Sequence, residues 1–259
     1  MAGMEKLLMS IAAIAAILAV IVIVIGVPLG IMVFLHKRGA PWTTILIGAG
    51  TFILFVALEQ VLHYTVITSG AMAALQETIW LYGLYGGLAA GLFEETGRLV
   101  AFRYILKNRR DRLTSLAYGI GHGGIESILL VGLTMIANLS LGLAYTSGAE
   151  LSAEMMAMAE SLVSTPAGMF LWSGFERLYA IAMHMALSVL VFAAVRTSRR
   201  RLYLAAILVH AGVDCAAVIA NACHLPIAAT ELLLAVLTAA AALWAVRIYK
   251  KLPETAEIS

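Results

Sequence analysis

Seven apolar stretches follow one another along this chain, at residues 7–35, 42–67, 79–106, 113–140, 166–195, 201–221 and 226–249. Each has the ~20 residues that a helix needs to cross the hydrocarbon core of a bilayer. A water-soluble core does not string such runs end to end. The expected fold is therefore all-α, a polytopic bundle of about seven transmembrane helices forming one transmembrane domain over 1–259. Composition places the chain in the same class: 62% of residues are hydrophobic and 12% charged, a balance that soluble domains do not reach. The first run is too long for a signal-peptide core and lacks a small-residue cleavage site, so it is read as a retained span, tilted or beginning outside the membrane.

The connections fall into two classes. Residues 36–38, 107–112, 196–201 and 250–251 are basic, whereas 69–78, 141–165 and 222–226 contain neither Lys nor Arg. Regular alternation of this kind gives one orientation under the positive-inside rule: N-terminus outside, C-terminus cytoplasmic. A net charge of +2, held in short clusters between apolar runs, argues for topology signals and against a nucleic-acid partner. Cys215 and Cys223 lack the spacing of a disulfide framework or a CxxC site and read as packing residues. Within 141–165, Leu151, Met155, Met158 and Leu162 recur at helical spacing between Glu150, Glu154 and Glu160. That predicts a short interfacial helix on the outer face, read as a plain surface helix in preference to a gate. The tail, 252–259, is expected to fray.

Against this apolar background, Glu94, Glu95 and Arg98 stand inside the third run. A charge at the centre of a membrane helix costs roughly 2.5–3.5 kcal/mol on insertion scales, so such residues mark function by default. His122 with Glu126, His184, and His210 with Asp214 occupy three further runs. Depth follows from the helical rise of about 1.5 Å per residue. Glu94 lies 13 residues from Lys107, His122 lies 10 from Arg112, His184 lies 12 from Arg196 and His210 lies 9 from Arg201. These separations correspond to roughly 20, 15, 18 and 14 Å from the basic ends. Four helices thus carry polar groups at nearly one level, where unrelated buried residues would scatter. Within the helices, Arg98 reaches Glu94 at i,i+4 and Glu95 at i,i+3, and so holds one of them ionised and oriented. His122 with Glu126, and His210 with Asp214, repeat the i,i+4 spacing by which one helix face presents two ligands to a metal, or by which a carboxylate fixes an imidazole. Arg177 lies two turns from His184 on the same face, where it meets Glu126 or Glu176. Gly83, Gly86, Gly87, Gly91 and Gly97 on the third run, and Gly119, Gly121, Gly123 and Gly124 on the fourth, permit close helix approach or leave room for substrate. His36, His63 and His224 fall outside the common level, and Glu59 and Asn138 are read as structural residues without a spaced partner.

Glutamate, histidine and an oriented arginine suit hydrolysis by an activated water. A carboxylate takes the proton, and histidines or a metal polarise the carbonyl. Zinc accepts His and carboxylate ligands and leaves a position for water. No HExxH motif occurs, Gly212-Val213-Asp214 is not a GxGD motif, and Ser173 lies outside the histidine level. Those three features argue against the site-2, presenilin and rhomboid types of intramembrane protease. Metal-dependent hydrolysis, metal-independent glutamate hydrolysis, an inert scaffold and an ion relay all remain open on the residues alone.

Taken together, Glu94-Glu95-x-x-Arg98, Tyr118-Gly-Ile-Gly-His122-Gly-Gly-Ile-Glu126, Arg177 with His184, and His210-Ala-Gly-Val-Asp214 resemble the YhfC family of bacterial membrane proteins. That family is classed with intramembrane metalloproteases. It is similar to PrsW and to the CPBP group, which includes the CAAX prenyl proteases, and more distantly to the multispanning scaffold subunit of γ-secretase. The likeness covers the third to sixth runs and, by span count, most of the chain. It implies a catalytic core over about 79–221 in a multi-pass protein of the bacterial plasma membrane. It implies that Glu94 activates water, supported by Glu95 and Arg98, and that His122 and His210 bind metal or stabilise the oxyanion. The chain departs from the CPBP pattern. Two residues, not three, separate the glutamate pair from Arg98; Tyr118 stands where CPBP has Phe; and Asp214 replaces its Asn. Glu126 and His184 are additional polar groups. These differences favour the PrsW/YhfC branch and a metal set of His122, Glu126, His184 and His210, with Asp214 and Arg177 supporting it. The expected cofactor is zinc or another divalent ion, the expected substrate a membrane protein or peptide, and the expected surroundings a lipid bilayer. The residues do not specify an oligomeric state.

Overall fold

The structure, a computed structural model, describes residues 8–254. The described residues form helices and no strands. In chain order the helices are α1 (Ile11–Lys37), α2 (Trp42–Thr68), α3 (Ala71–Gln76), α4 (Ile79–Val100), α5 (Leu113–Ser147), α6 (Ala153–Ser164), α7 (Ala167–Thr197), α8 (Arg200–Ala222) and α9 (Ile227–Tyr249). Six of them, α1, α2, α5, α7, α8 and α9, are long and apolar enough to cross a membrane. The protein is thus an all-α, multi-pass integral membrane bundle. α4 continues through a π-helical turn, Ala101–Ile105, and reaches a similar length, but Glu94, Glu95, Arg98 and Arg103 interrupt its apolar character.

Local sequence explains where these helices begin and end. Ser10 caps α1 by accepting a hydrogen bond from the Ala13 amide, and Ser152 caps α6 through the Met155 amide. α5 runs past its expected end near residue 140, because nothing breaks it before Gly148. That glycine adopts φ 82°, a left-handed conformation open to glycine at little cost. A π-helical turn at Ile128–Gly132 interrupts its regular hydrogen bonding on the way. The expected helix within 141–165 is present as α6. The tail departs from the expected fraying up to its last described residues: Leu252 is buried, Pro253 accepts a hydrogen bond from the Arg112 amide at 2.9 Å, and Glu254 pairs with the Arg112 guanidinium. The expected start of the first span at residue 7, and the tail beyond 254, lie outside the described residues.

Contacts divide the chain into two compact units. One comprises Met1–Val27 and Glu126–Leu178. Its core joins Ile17, Val20 and Val24 of α1 to Met135 and Tyr145 of α5 and to Ala159, Leu162 and Val163 of α6. The Ser127 hydroxyl donates to the Val24 carbonyl at 3.1 Å.

The other unit comprises Pro28–Ile125 and Tyr179–Ser259. Its helices approach through glycine. A Cβ on Gly87 of α4 would stand 2.3 Å from the Ala211 carbonyl oxygen of α8, and Gly83 and Gly91 face Cys215 and Ile207 one turn to either side. The order of these contacts makes α4 and α8 antiparallel, and across this pair the Glu95 side chain reaches His210. Gly119 likewise meets Ser188 and Gly123 meets His184, so α5 and the second half of α7 run antiparallel with His122 beside His184. A Cβ on Gly121 would lie 2.0 Å from the Ile45 carbonyl oxygen of α2, whereas one on Gly50 meets nothing within 4 Å. The two positions therefore respond in opposite directions to alanine. Gly121→Ala destabilises the protein by about 1–3 kcal/mol through overpacking. Gly50→Ala stabilises it by about 0.5–1 kcal/mol by removing backbone freedom from the unfolded chain. Melting temperatures in detergent measure both, and a Gly121→Ala variant that melts no lower than the parent contradicts this packing.

Candidate functional site

α4 supplies the centre of the site. Its last turns carry Glu94, Glu95 and Arg98, and all three side chains are buried, Glu95 and Arg98 at 0% exposure. Glu94 Oε2 is the point on which the site converges. It lies 2.8 Å from His122 Nε2, 3.8 Å from His184 Nδ1, 3.9 Å from His210 Nε2 and 3.9 Å from Arg98 Nη2. The imidazoles crowd together, with ring centroids 5.0 Å apart for His122 and His184 and 5.4 Å for His184 and His210. Glu94, His122 and His184 each present a ligand atom within 4.8 Å of the others. The structure thus gathers Glu94, Glu95, Arg98, His122, His184 and His210 from four helices into one cluster. That is the convergence expected from their common depth.

Each member is held. Glu95 Oε1 accepts from the Arg98 guanidinium and pairs with His210 Nδ1 at 2.8 Å. Arg98 donates from Nε to the Ser188 hydroxyl at 3.2 Å, and its Nη2 lies 2.6 Å from His184 Nδ1. Ser188 in turn donates to the His184 carbonyl at 2.7 Å. Asp214, one turn beyond His210, places Oδ2 3.5 Å from His210 Nε2. The His122 ring packs edge-on against Phe52 at 4.9 Å, and its Nδ1 is buried without a hydrogen-bond partner among the described residues. The Arg98–Glu95 ion pair therefore fixes His210 through Glu95 and His184 through Arg98, both beside Glu94.

Glu126 lies one turn beyond His122 on α5, where the chain enters the other unit. Within that unit Arg177 Nη1 donates to Glu126 at 2.8 Å and Nη2 to Glu176. Both expected partners of Arg177 are thus engaged.

Three groups lie outside the residues that depth and spacing single out. Ser188 orients Arg98, and its signal was available: it stands i+4 from His184. Glu59 was set aside as lacking a spaced partner, yet His63 is its i,i+4 neighbour. The two side chains lie 3.1 Å apart, and His63 Nδ1 meets the Tyr85 hydroxyl at 2.7 Å. The Tyr118 hydroxyl hydrogen-bonds Thr51 at 2.5 Å, a pairing between helices that no spacing rule could have revealed.

The donor chemistry fits a metal. Imidazole nitrogens and carboxylate oxygens are the ligands that zinc and its first-row neighbours take. With the histidines neutral, as metal ligands must be, two ionised carboxylates outweigh one guanidinium, a charge that a divalent cation would offset.

Residues 21–236 match the family described as YhfC intramembrane metalloprotease. A protein of Bacillus subtilis (strain 168), described as uncharacterized membrane protein YhfC, is 35% identical over 233 residues, which is 85% of this chain and 90% of that protein. No solved structure matches the chain.

Proposed function

From the premise that this chain belongs to the YhfC intramembrane metalloprotease family, we propose that it hydrolyses peptide bonds of membrane-protein or peptide substrates at the Glu94 cluster. The observation that carries this reading is the convergence of three imidazoles on one carboxylate oxygen, Glu94 Oε2, inside an otherwise apolar bundle. Nothing in helix packing requires such a group, and its burial is costly.

Each residue takes a role in this scheme. Glu94 is the general base. It accepts a proton from water as the oxygen attacks the scissile carbonyl, then delivers that proton to the departing amine, so that one water is consumed and no net proton is lost. Arg98 and Glu95 do not react; they hold His210 and His184 so that Glu94 faces a rigid wall. His122, His184 and His210 would hold a zinc ion, with Glu126 as a fourth ligand or a support to His122. Zinc, when bound, supplies Lewis acidity that polarises the carbonyl and makes water easier to deprotonate. Asp214 steadies His210, and Arg177 steadies Glu126.

One contact favours a second reading. Arg98 Nη2 lies 2.6 Å from His184 Nδ1, which occupies one of the two nitrogens that His184 offers a metal. In a metal-independent glutamate mechanism this arginine-bound imidazole would face the oxyanion instead, with Glu94 still the base. Cleavage of a single-span substrate in proteoliposomes, compared between the parent and Glu94→Gln, tests the shared core of both readings.

We further propose that α4 is a seventh span and that the N-terminus lies outside. The basic connections at 107–112 and 196–201, set against a 141–165 segment without Lys or Arg, support this orientation. In a background lacking Cys215 and Cys223, a cysteine at Arg110 or Arg199 is expected to react with impermeant thiol reagent only from the cytoplasmic side, and one at Ala149 only from outside. Labelling of both connections from one side contradicts the proposed topology.

A further inference from the structure

At one end of the second unit, α7 ends, α8 begins and α9 ends around a cleft of about 350 Å³. Arg199 and Lys251 stand at its mouth, and Leu202, Trp244, Ile248 and Leu252 form its wall. Trp244 is shared with a second cavity of about 380 Å³ that lies between α8 and α9. Leu208, Val209, Val213, Leu237 and Ala240 line this cavity, and no polar side chain enters it. A cleft with an exposed cationic rim thus shares Trp244 with an apolar cavity between α8 and α9.

The cations are not used for structure. Arg196, a turn earlier, donates to the Leu106 and Arg109 carbonyls and is committed to closing the end of the α4 segment. Arg199 and Lys251 make no ion pair among the described residues. The Ser198 backbone has φ 56°, outside the range that a serine ordinarily adopts, and Arg199 immediately follows this turn. Arg199 is also the N-cap of the 23-residue α8 and supplies no side-chain cap; the Leu202 amide donates to the Arg199 carbonyl at 2.9 Å, and the Arg200 and Arg201 amides before it keep their hydrogen-bonding capacity toward an anion.

We propose that this composite cleft is a binding site for an anionic phospholipid, with the phosphate at Arg199, Lys251 and the start of α8 and an acyl chain along the α8–α9 groove. The chemistry selects the ligand. A free phosphate leaves the apolar groove unfilled, and a zwitterionic lipid brings to the two cations an ammonium that offsets its own phosphate. The cavities are of small-ligand size, ~300–1,000 Å³, and cannot admit a substrate helix about 10 Å across. The site lies on helix ends remote in sequence from Glu94, so the proposal does not rest on the hydrolytic reading.

The test uses full-length protein in neutral detergent, with melting temperature followed as phosphatidylglycerol, phosphatidylcholine or inorganic phosphate is added. Phosphatidylglycerol alone raises the melting temperature in a saturable way. The double variant Arg199→Ala/Lys251→Ala weakens that lipid's apparent affinity about twenty-fivefold, at roughly fivefold for each cation. Ala240→Phe, which fills the groove without touching the mouth, weakens it as well. The proposal is overturned if phosphatidylcholine stabilises equally, if inorganic phosphate reproduces the whole effect, or if both variants respond to phosphatidylglycerol as the parent does.

Discussion

Glu94→Gln protein inserts, folds and keeps its metal, yet cleaves a single-span membrane substrate about 10²–10⁴-fold more slowly than the parent, the usual cost of losing a general base. The substitution preserves the shape of the side chain and its place among His122, His184 and His210, and removes its charge and its capacity to take a proton; Glu95 stays as the close partner of Arg98. Glu95→Gln acts differently. Glu95 is fully buried between Arg98 and His210, so its loss leaves a buried guanidinium short of its counter-charge. Removing one partner of a buried pair destabilises by about 3–5 kcal/mol, and that variant should therefore lose melting temperature as well as activity. The two readouts separate the roles: full folding with lost cleavage for Glu94, weakened folding for Glu95. If Glu94→Gln cleaves at the parental rate while Glu95→Gln folds normally and does not cleave, the base has been assigned to the wrong residue. Retained function in both variants would favour the inert scaffold.

The second large effect concerns the metal. Purified protein is expected to hold about one divalent ion per chain, as a three-histidine site with an open position for water does. His122→Ala and His210→Ala both lose that ion and the cleavage that goes with it. Ser188→Ala, which withdraws hydrogen bonds from Arg98 and from the His184 carbonyl but no metal donor, retains the ion. Stoichiometry by elemental mass spectrometry decides this without an activity assay. Fully active protein that contains no metal and resists chelators replaces the metal reading with the arginine-assisted glutamate mechanism.

Much of this could be read from the sequence because a membrane limits the choices. Apolar runs fix where helices lie, and their basic ends act as depth markers, so residues on different helices can be compared by counting from those ends. That is why Glu94, His122, His184 and His210 form one group on the sequence alone, and why spacing pairs Arg98 with the glutamates one turn away. What stayed hidden was direction around each helix. Depth does not say that His210 turns toward Glu95, nor that Arg98 reaches across to His184 and Ser188. Those choices depend on which glycines let which helices touch, and Gly87 against Ala211 is a property of two segments more than a hundred residues apart. Glu59 with His63 differs: the same i,i+4 spacing joins them, but they lie away from the histidine level that marks the site. The end of α5 was hidden because apolar content continues past the length needed to span, and only the backbone of Gly148 stops the helix.

The most direct test is the chemical identity of the product. Parent protein, loaded with zinc and reconstituted with a single-span substrate, should produce two fragments whose new termini, read by mass spectrometry, fall within the substrate's transmembrane segment. Glu94→Gln protein of equal metal content should leave the substrate intact. An intact substrate with the metal-loaded parent, across substrates of either orientation, or the same fragments with Glu94→Gln, would contradict the account of Glu94 and its three histidines as a hydrolytic centre.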